Sequence, residues 1–115
     1  MKVTRLADAT HYVAPNHYDM RSMRLQGFEP GGPEHFWAGL SHFLPGGGAG
    51  PDATPLEKVY VVLSGQLTVK AGDVEVVLGP MDSCCIPASV MREVKNHGNE
   101  VASMIVVMPY PASKS

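Results

Sequence analysis

The stretch EKVYVVLSGQLTVKAGDVEVVLGP (57–80) decides how this chain folds. β-Branched and aromatic residues dominate its segments 57–63, 66–71 and 74–78, a composition typical of strands. Ser64-Gly65 and Gly72-Asp73 separate these segments, and Gly79-Pro80 ends the last one. Turn residues between short β-rich segments predict hairpins, so the sequence indicates successive strands joined by tight turns.

Strands of the same kind are predicted on both sides of this stretch, over residues 17–26, 36–44, 83–87, 91–96 and 101–108. The run Pro45-Gly46-Gly47-Gly48 is expected to end the strand that begins at Phe36. The chain contains 12 Gly and 10 Pro, which leaves little room for long helices. Short strands with turns between them predict an all-β fold, either a sandwich or a barrel.

The two ends of the chain carry weaker patterns. Residues 1–16 are interpreted as an N-terminal arm with a short strand near residues 3–6, and residues 111–115 as a short flexible tail. The 115 residues fit a single domain, 1–115, which can bury a core without disulfides. The cysteines Cys84 and Cys85 are adjacent and form no disulfide framework.

Charge and hydropathy exclude several classes of partner. The formal net charge is -2, so no broad basic surface is expected to attract nucleic acid or an anionic membrane. The N-terminal sequence has no apolar run typical of a signal peptide, and nowhere does the chain reach the roughly 20 apolar residues of a membrane helix. We therefore expect a soluble, cytoplasmic protein.

Two segments, 46–65 and 81–96, match the spacing of a known pair of motifs. The first places Gly46, Asp52, Thr54, Lys58 and Gly65 at the motif positions, and the second places Met81, Pro87, Ser89, Arg92 and Asn96. Fifteen residues, 66–80, separate them. In this spacing the chain resembles the cupin superfamily, and in particular its small single-domain bacterial members. The resemblance implies a cupin-type double-stranded β-helix, a jelly-roll barrel.

The resemblance also indicates where a metal ion would be bound. In metal-binding cupins the ligands are histidines and a glutamate at the positions that are Asp52, Thr54, Lys58 and Arg92 in this sequence. Lysine and arginine are cations with no lone pair to offer a divalent ion at neutral pH. We therefore expect no metal and no cofactor, which argues against metal-dependent oxygenase, decarboxylase and isomerase activities.

The replaced residues indicate a different kind of site. Period-two alternation places Lys58 on one face with Tyr60, and Arg92 on one face with Asn96. The predicted site has Lys58, Asp52, Tyr60 and His42 as catalytic residues and Arg92, Thr54 and Asn96 as substrate-binding residues. Arginine binds carboxylates through its planar fork, and a partly buried lysine can exchange protons. An equally open interpretation is that Lys58 and Arg92 form a structural ion-pair network with Asp52 or Glu57.

These residues leave three functional hypotheses. The first is a metal-independent lyase or isomerase that moves a proton on a small anionic or oxygen-rich metabolite. The second is a non-catalytic cupin that binds or senses such a molecule, and the third is a structural role with a vestigial pocket. Exposed strand edges in so short a chain also favour a homodimer.

Overall fold

A computed structural model describes residues 1–112 and is built almost entirely of strands. After a 3-10 turn at Leu6–Asp8, its strands are β1 (Thr10–Tyr12), β2 (His17–Gln26), β3 (Phe36–Asp52), β4 (Lys58–Ser64), β5 (Leu67–Ala71), β6 (Val74–Leu78), β7 (Ser83–Ile86), β8 (Arg92–Lys95) and β9 (Ala102–Pro109). The all-β prediction is therefore confirmed. Most of the predicted tail, 113–115, lies outside the described residues.

The strands form a nearly closed antiparallel barrel. Neighbouring strands follow the order β6-β5-β8-β3-β9-β4-β7, and β2 adds to β3 with β1 on its outer side. One wall of the barrel contains β2, β9, β4 and β7, and the facing wall contains β8, β5 and β6. Strand β3 belongs to both walls, so it is the element that joins them.

The glycine-rich run does not end β3, and this corrects the sequence prediction. Strand β3 pairs with β9 from Phe36 to Phe43 and then with β8 from Gly48 onward. Gly46 has φ 84°, a left-handed conformation that lets the backbone bend without a side-chain clash. The run therefore bends a continuous strand from one wall of the barrel to the other.

The predicted hairpin at Ser64-Gly65 is also wrong. Strand β4 pairs with β7 and β9, whereas β5 pairs with β6 and β8, so the two strands lie in opposite walls. The second predicted hairpin is confirmed, because Ala71 lies opposite Val74 across the Gly72-Asp73 turn. Similar turn residues thus close a hairpin at Gly72-Asp73, whereas at Ser64-Gly65 they allow the chain to cross from one wall to the other.

The core lies between the two walls. Its fully buried side chains include Phe43, Val62, Leu67, Ile86 and Val94. The arm contributes a second, smaller cluster in which Ala9 packs with Met23 and Leu40. The arm's strand is β1 rather than the predicted segment near residues 3–6. The described part of the chain has no helix with the length and hydropathy of a membrane span.

Candidate functional site

A cavity of about 200 Å³ opens between the walls of the barrel. Its polar lining comes from several strands and from the loop after β3, and includes Tyr12, His17, Ser41, Asp52, Thr54, Lys58, Tyr60 and Arg92. Its apolar lining includes Trp37, Phe43, Val94, Met104, Val106 and Met108. Five residues of the predicted site are therefore brought together: Asp52, Thr54, Lys58, Tyr60 and Arg92.

Two cationic side chains are buried beside this cavity. Lys58, the first residue of β4, is 4% exposed, and Arg92, the first residue of β8, is 5% exposed. The predicted alternation is confirmed, since Tyr60 and Val62 are buried with Lys58 while Val59 and Leu63 are exposed. Burying a charge is costly unless it is paired or hydrogen-bonded, so the partners of these two side chains decide what the site can do.

Neither cation forms an ion pair with a carboxylate of the described residues. Within residues 1–112 the ion pairs are Arg24 with Glu29 and His35 with Glu34, both elsewhere. Asp52 lies opposite Arg92 in the β3–β8 register, yet the two side chains form no ion pair. The expectation of a structural ion-pair network with Asp52 or Glu57 is therefore wrong.

The hydrogen bonds of the site leave much of its donor capacity unused. Lys58 Nζ donates to Thr54 Oγ1 over 3.2 Å, and the backbone N–H of Ala53 donates to Asp52 Oδ1 over 2.8 Å. Arg92 Nε and Nη1 are buried and meet no acceptor within the described residues. Buried donors are nearly always paired in native proteins, so these two nitrogens are an exception, and with almost no accessible surface they lie behind the cavity wall.

Burial and charge shift the protonation equilibria in this cluster. Burial lowers the pKa of Lys58, and the Arg92 guanidinium lowers it further, while Asp52 opposes the shift. Burial raises the pKa of Tyr60 to about 12, with Arg92 acting in the opposite direction. Tyr60 therefore keeps its proton at neutral pH and can donate it in a hydrogen bond.

His17 belongs to the site and was missed in the sequence. It is the first residue of β2, lies opposite Ala49 in the register and lines the cavity. Its Nδ1 lies 2.8 Å from the carbonyl oxygen of Pro15 and donates a hydrogen bond to it in the tautomer that leaves the Nε2 lone pair free. Burial lowers the pKa of His17, and the positive charge of Arg92 adds to that effect, while the hydrogen bond to Pro15 opposes it, so the neutral ring is favoured.

Two predicted site residues lie elsewhere. His42 points away from the cavity, because its neighbours Ser41 and Phe43 line it, and its Nδ1 is 2.6 Å from Ser103 Oγ. Asn96 is 1% exposed but outside the cavity lining, and its amide donates to the carbonyl oxygens of Phe43 and Glu100. Their assignments to catalysis and to substrate binding are corrected: His42 is on the outer face, and Asn96 ties the end of β8 to its neighbours.

The donor set at the family's metal position does not fit a divalent ion. Among the described residues Asp52 is the single carboxylate of the cavity lining, and it shares the cavity with two buried cations that repel a metal. No cluster of three or more histidine, cysteine, aspartate or glutamate side chains suited to a metal occurs among residues 1–112. We therefore derive no chemistry through a metal at this site.

Comparison with known proteins agrees with this architecture. The chain is 43% identical over 114 residues to a β-D-galactosidase of Mycobacterium tuberculosis, covering 99% of this chain and 98% of the relative. A polyketide cyclase from Streptomyces resistomycificus superposes with a TM-score of 0.82 at 20% identity, covering 95% of this chain and 79% of the other. An RmlC-like cupin from Shewanella frigidimarina superposes with a TM-score of 0.75 at 19% identity, covering 99% and 97%.

At these low identities the two structural likenesses concern the fold alone. The family comparison is more direct, because residues 39–108 match the sequence model of the cupin domain. That segment contains both spaced motifs, all of β4 to β8 and most of β3 and β9. The chain belongs to the cupin domain family.

Proposed function

We propose that this cupin is a metal-independent enzyme, a lyase or isomerase, that moves a proton on a small anionic or oxygen-rich metabolite held in the barrel cavity. The observation that carries the proposal is the pair of buried cations, Lys58 and Arg92, which face the cavity without a carboxylate partner. A buried charge without a partner is costly to the fold, so its presence at a cavity favours a role in binding an anion.

In the proposed reaction each side chain has a role. The Arg92 fork binds and orients a carboxylate, and Lys58 and Tyr60 donate hydrogen bonds to the oxygen on which charge develops. His17 or Asp52 removes the proton from the carbon next to the activated carbonyl. The C–H electron pair then moves into an enolate stabilised by the two cations. Return of the proton at another carbon completes an isomerisation, and expulsion of a neighbouring leaving group completes an elimination.

The test begins with binding and then follows the proton. The chain's single tryptophan, Trp37, lines the cavity, so its fluorescence and the thermal midpoint of the protein report ligands from a panel of small carboxylates and enolisable sugars. Ligands that bind are then incubated in D₂O, and loss of C–H signals is followed by NMR. We expect exchange with the native protein, a large loss of exchange with Lys58→Ala, and no loss with Lys70→Ala, which removes an exposed lysine on β5.

Binding without exchange, unchanged by Lys58→Ala, would contradict the proposal and favour the non-catalytic binding cupin. More than about half a metal equivalent per chain surviving dialysis, together with activity that a chelator removes and the metal restores, would contradict metal independence. Neither outcome requires the natural substrate to be known in advance.

A second candidate function is hydrolysis of β-galactosides, and it rests on the relative that is 43% identical and described as a β-D-galactosidase. Most glycoside hydrolases use two carboxyl groups that flank the scissile bond. The cavity lining here contains one, Asp52, so a galactosidase would need His17 or Tyr60 as the second proton-transfer group. Release of nitrophenol from nitrophenyl β-D-galactoside by the native protein, abolished in Asp52→Asn and retained in Asp73→Asn, would establish this function in place of the first.

A further inference from the structure

The cavity is not uniformly polar, and its two flanks differ in chemistry. Trp37 lies opposite Met108 in the β3–β9 register, and Val106 lies opposite Tyr60 in the β4–β9 register. Because Val59 lies opposite Val107, Lys58 is level with Met108. Strand β9 thus separates Trp37 from Lys58 by two strand spacings, about 10 Å. Aromatic and thioether groups form one flank, and the cations form the other.

The aromatic flank is held rigidly from outside the cavity. The Arg24 guanidinium lies 3.8 Å from the ring centroid of Phe28, 4.1 Å from that of Tyr12 and 5.3 Å from that of Trp37. Glu29 Oε1 lies 3.2 Å from Arg24 Nε and forms an ion pair with the guanidinium, without the geometry of a hydrogen bond. The rings of Tyr12 and Trp37 meet edge to face at 5.9 Å. Such cation–π and edge-to-face contacts fix ring orientation, so Trp37 presents a preformed surface.

The floor between the two flanks is also apolar. Phe43, Met104 and Val94 line it and are almost completely buried. A ligand with hydroxyl groups around its whole body would lose water against this floor and gain few partners, since Ser41 is the hydroxyl that the floor offers. A flat apolar ring would instead displace water from both floor and flank.

We propose that the cavity takes a ligand of divided character: a carboxylate or enolate head against Arg92 and Lys58, and a planar, ring-sized apolar body against Trp37, Met108 and Val106. This inference rests on the proposed function for its anionic head and adds the chemical class of the body. It predicts that aryl or unsaturated cyclic carboxylates bind more tightly than compact acids such as acetate and than fully hydroxylated sugars.

A matched ligand series tests the head and the body separately. Dissociation constants for benzoate, acetate, benzyl alcohol and D-galactonate are measured by Trp37 fluorescence and by thermal shift. We expect benzoate to bind at least about tenfold more tightly than acetate and galactonate, because benzoate buries an apolar ring and those two acids have none. Benzyl alcohol, which lacks the charged head, is expected to bind more weakly than benzoate by a similar factor.

Variants then place each half of the ligand. Val106→Thr keeps the side-chain shape but puts a hydroxyl on the apolar flank, so it is expected to weaken benzoate several-fold and leave acetate unchanged. Arg92→Gln is expected to weaken both acids. Val77→Thr, on the exposed face of β6, is the control and should change neither.

The outcomes separate this inference from the proposed function. Equal affinities for benzoate and acetate, both lost in Arg92→Gln, would overturn the apolar body and leave the anion site standing. Benzyl alcohol binding as tightly as benzoate would overturn the anionic head, and with it the anion-binding part of the proposed function. Galactonate binding more tightly than benzoate would overturn the divided ligand and favour the galactoside function.

Discussion

At the scale of a single residue, Arg92 is buried and has hydrogen-bond donors without acceptors, and we expect this to lower the stability of the fold. Its Nε and Nη1 meet no acceptor within the described residues, and its positive charge helps to lower the pKa of the nearby Lys58. Replacing a buried, uncompensated charge by an apolar side chain of similar size stabilises many proteins. We therefore expect Arg92→Met to raise the free energy of unfolding by about 1–3 kcal/mol in the absence of ligand.

The measurement is urea unfolding of the native protein and of Arg92→Met in the same buffer. Small carboxylates should raise the stability of the native protein but not that of the variant. The charge that destabilises the fold would then be the charge that binds the ligand. A loss of stability in Arg92→Met comparable to that of a large core truncation would contradict this expectation and would assign Arg92 to the fold.

Tyr60 gives a prediction about alkaline pH. Its pKa is raised from 10.0 in the unfolded chain to about 12 in the fold, because burial disfavours the phenolate. Between these values the unfolded state releases the proton and the folded state keeps it, so stability falls as pH rises from 10 to 12 and is unaffected below 10. Two pKa units correspond to about 3 kcal/mol.

Tyr60→Phe removes the ionisable group and keeps the ring. Other groups titrate in this range too, but they do so in both proteins, so the difference between native and variant isolates Tyr60. We expect the stability gap between them to shift in favour of Tyr60→Phe as pH rises from 10 to 12. A gap that stays constant over this range would show that the phenol is not desolvated in the fold.

At the scale of the element, two glycines with similar φ angles allow the destabilising effect of backbone strain to be measured separately from that of steric crowding. Gly46 has φ 84° and a Cβ there would meet nothing within 4 Å, whereas Gly65 has φ 73° and a Cβ would lie 2.8 Å from Ala102 Cα. Gly46→Ala should therefore cost about 1–2 kcal/mol from backbone strain alone. Gly65→Ala should cost a further 1–3 kcal/mol or so, because the backbone of β9 must move.

Thermal and urea unfolding of both variants measure this difference. Equal losses of stability would show that the Gly65 turn can shift away from β9.

The same elements explain how much of the fold could be predicted from the sequence. Alternation in β4 correctly put Lys58 and Tyr60 on the inner face, because period-two burial is a local property. Strand pairing is not local: turn residues at Ser64-Gly65 are compatible with a hairpin and with a crossing, and only contacts with β9 and β8 decide between them. The fold was predicted correctly from the spacing of the motifs, because that spacing is typical of a family in which the distant strand pairings are the same.

The site was predicted in part for the same reason. Lys58 and Arg92 followed from the motif positions, and so did Asp52. His17 could not be placed, because its neighbour Ala49 lies beyond the glycine run that was expected to end β3. His42 was misplaced for a related reason, since its face depends on the register of β3 with β9, where Ser103 is its partner.

At the scale of the whole molecule, the outer face of β4 and β9 favours a homodimer. Val59 and Leu63 are 39% and 41% exposed, and Val61, Ile105 and Val107 stand on the same face in register with them. None of these side chains is charged. A two-fold interface brings each patch against its own copy, so a flat, apolar and uncharged patch is self-complementary without like-charge repulsion.

We therefore expect sedimentation equilibrium to give about twice the 12.3 kDa chain mass. Val59→Lys places a charge within the patch and should shift the protein to monomer while leaving carboxylate binding in place, because the side chain points away from the cavity. Val77→Lys changes an equally apolar residue on β6, 60% exposed and outside the patch, and should remain dimeric. If both variants dissociate, or if the native protein sediments as a monomer at high concentration, this face is not the subunit contact, and its exposed valines would need another partner to cover them.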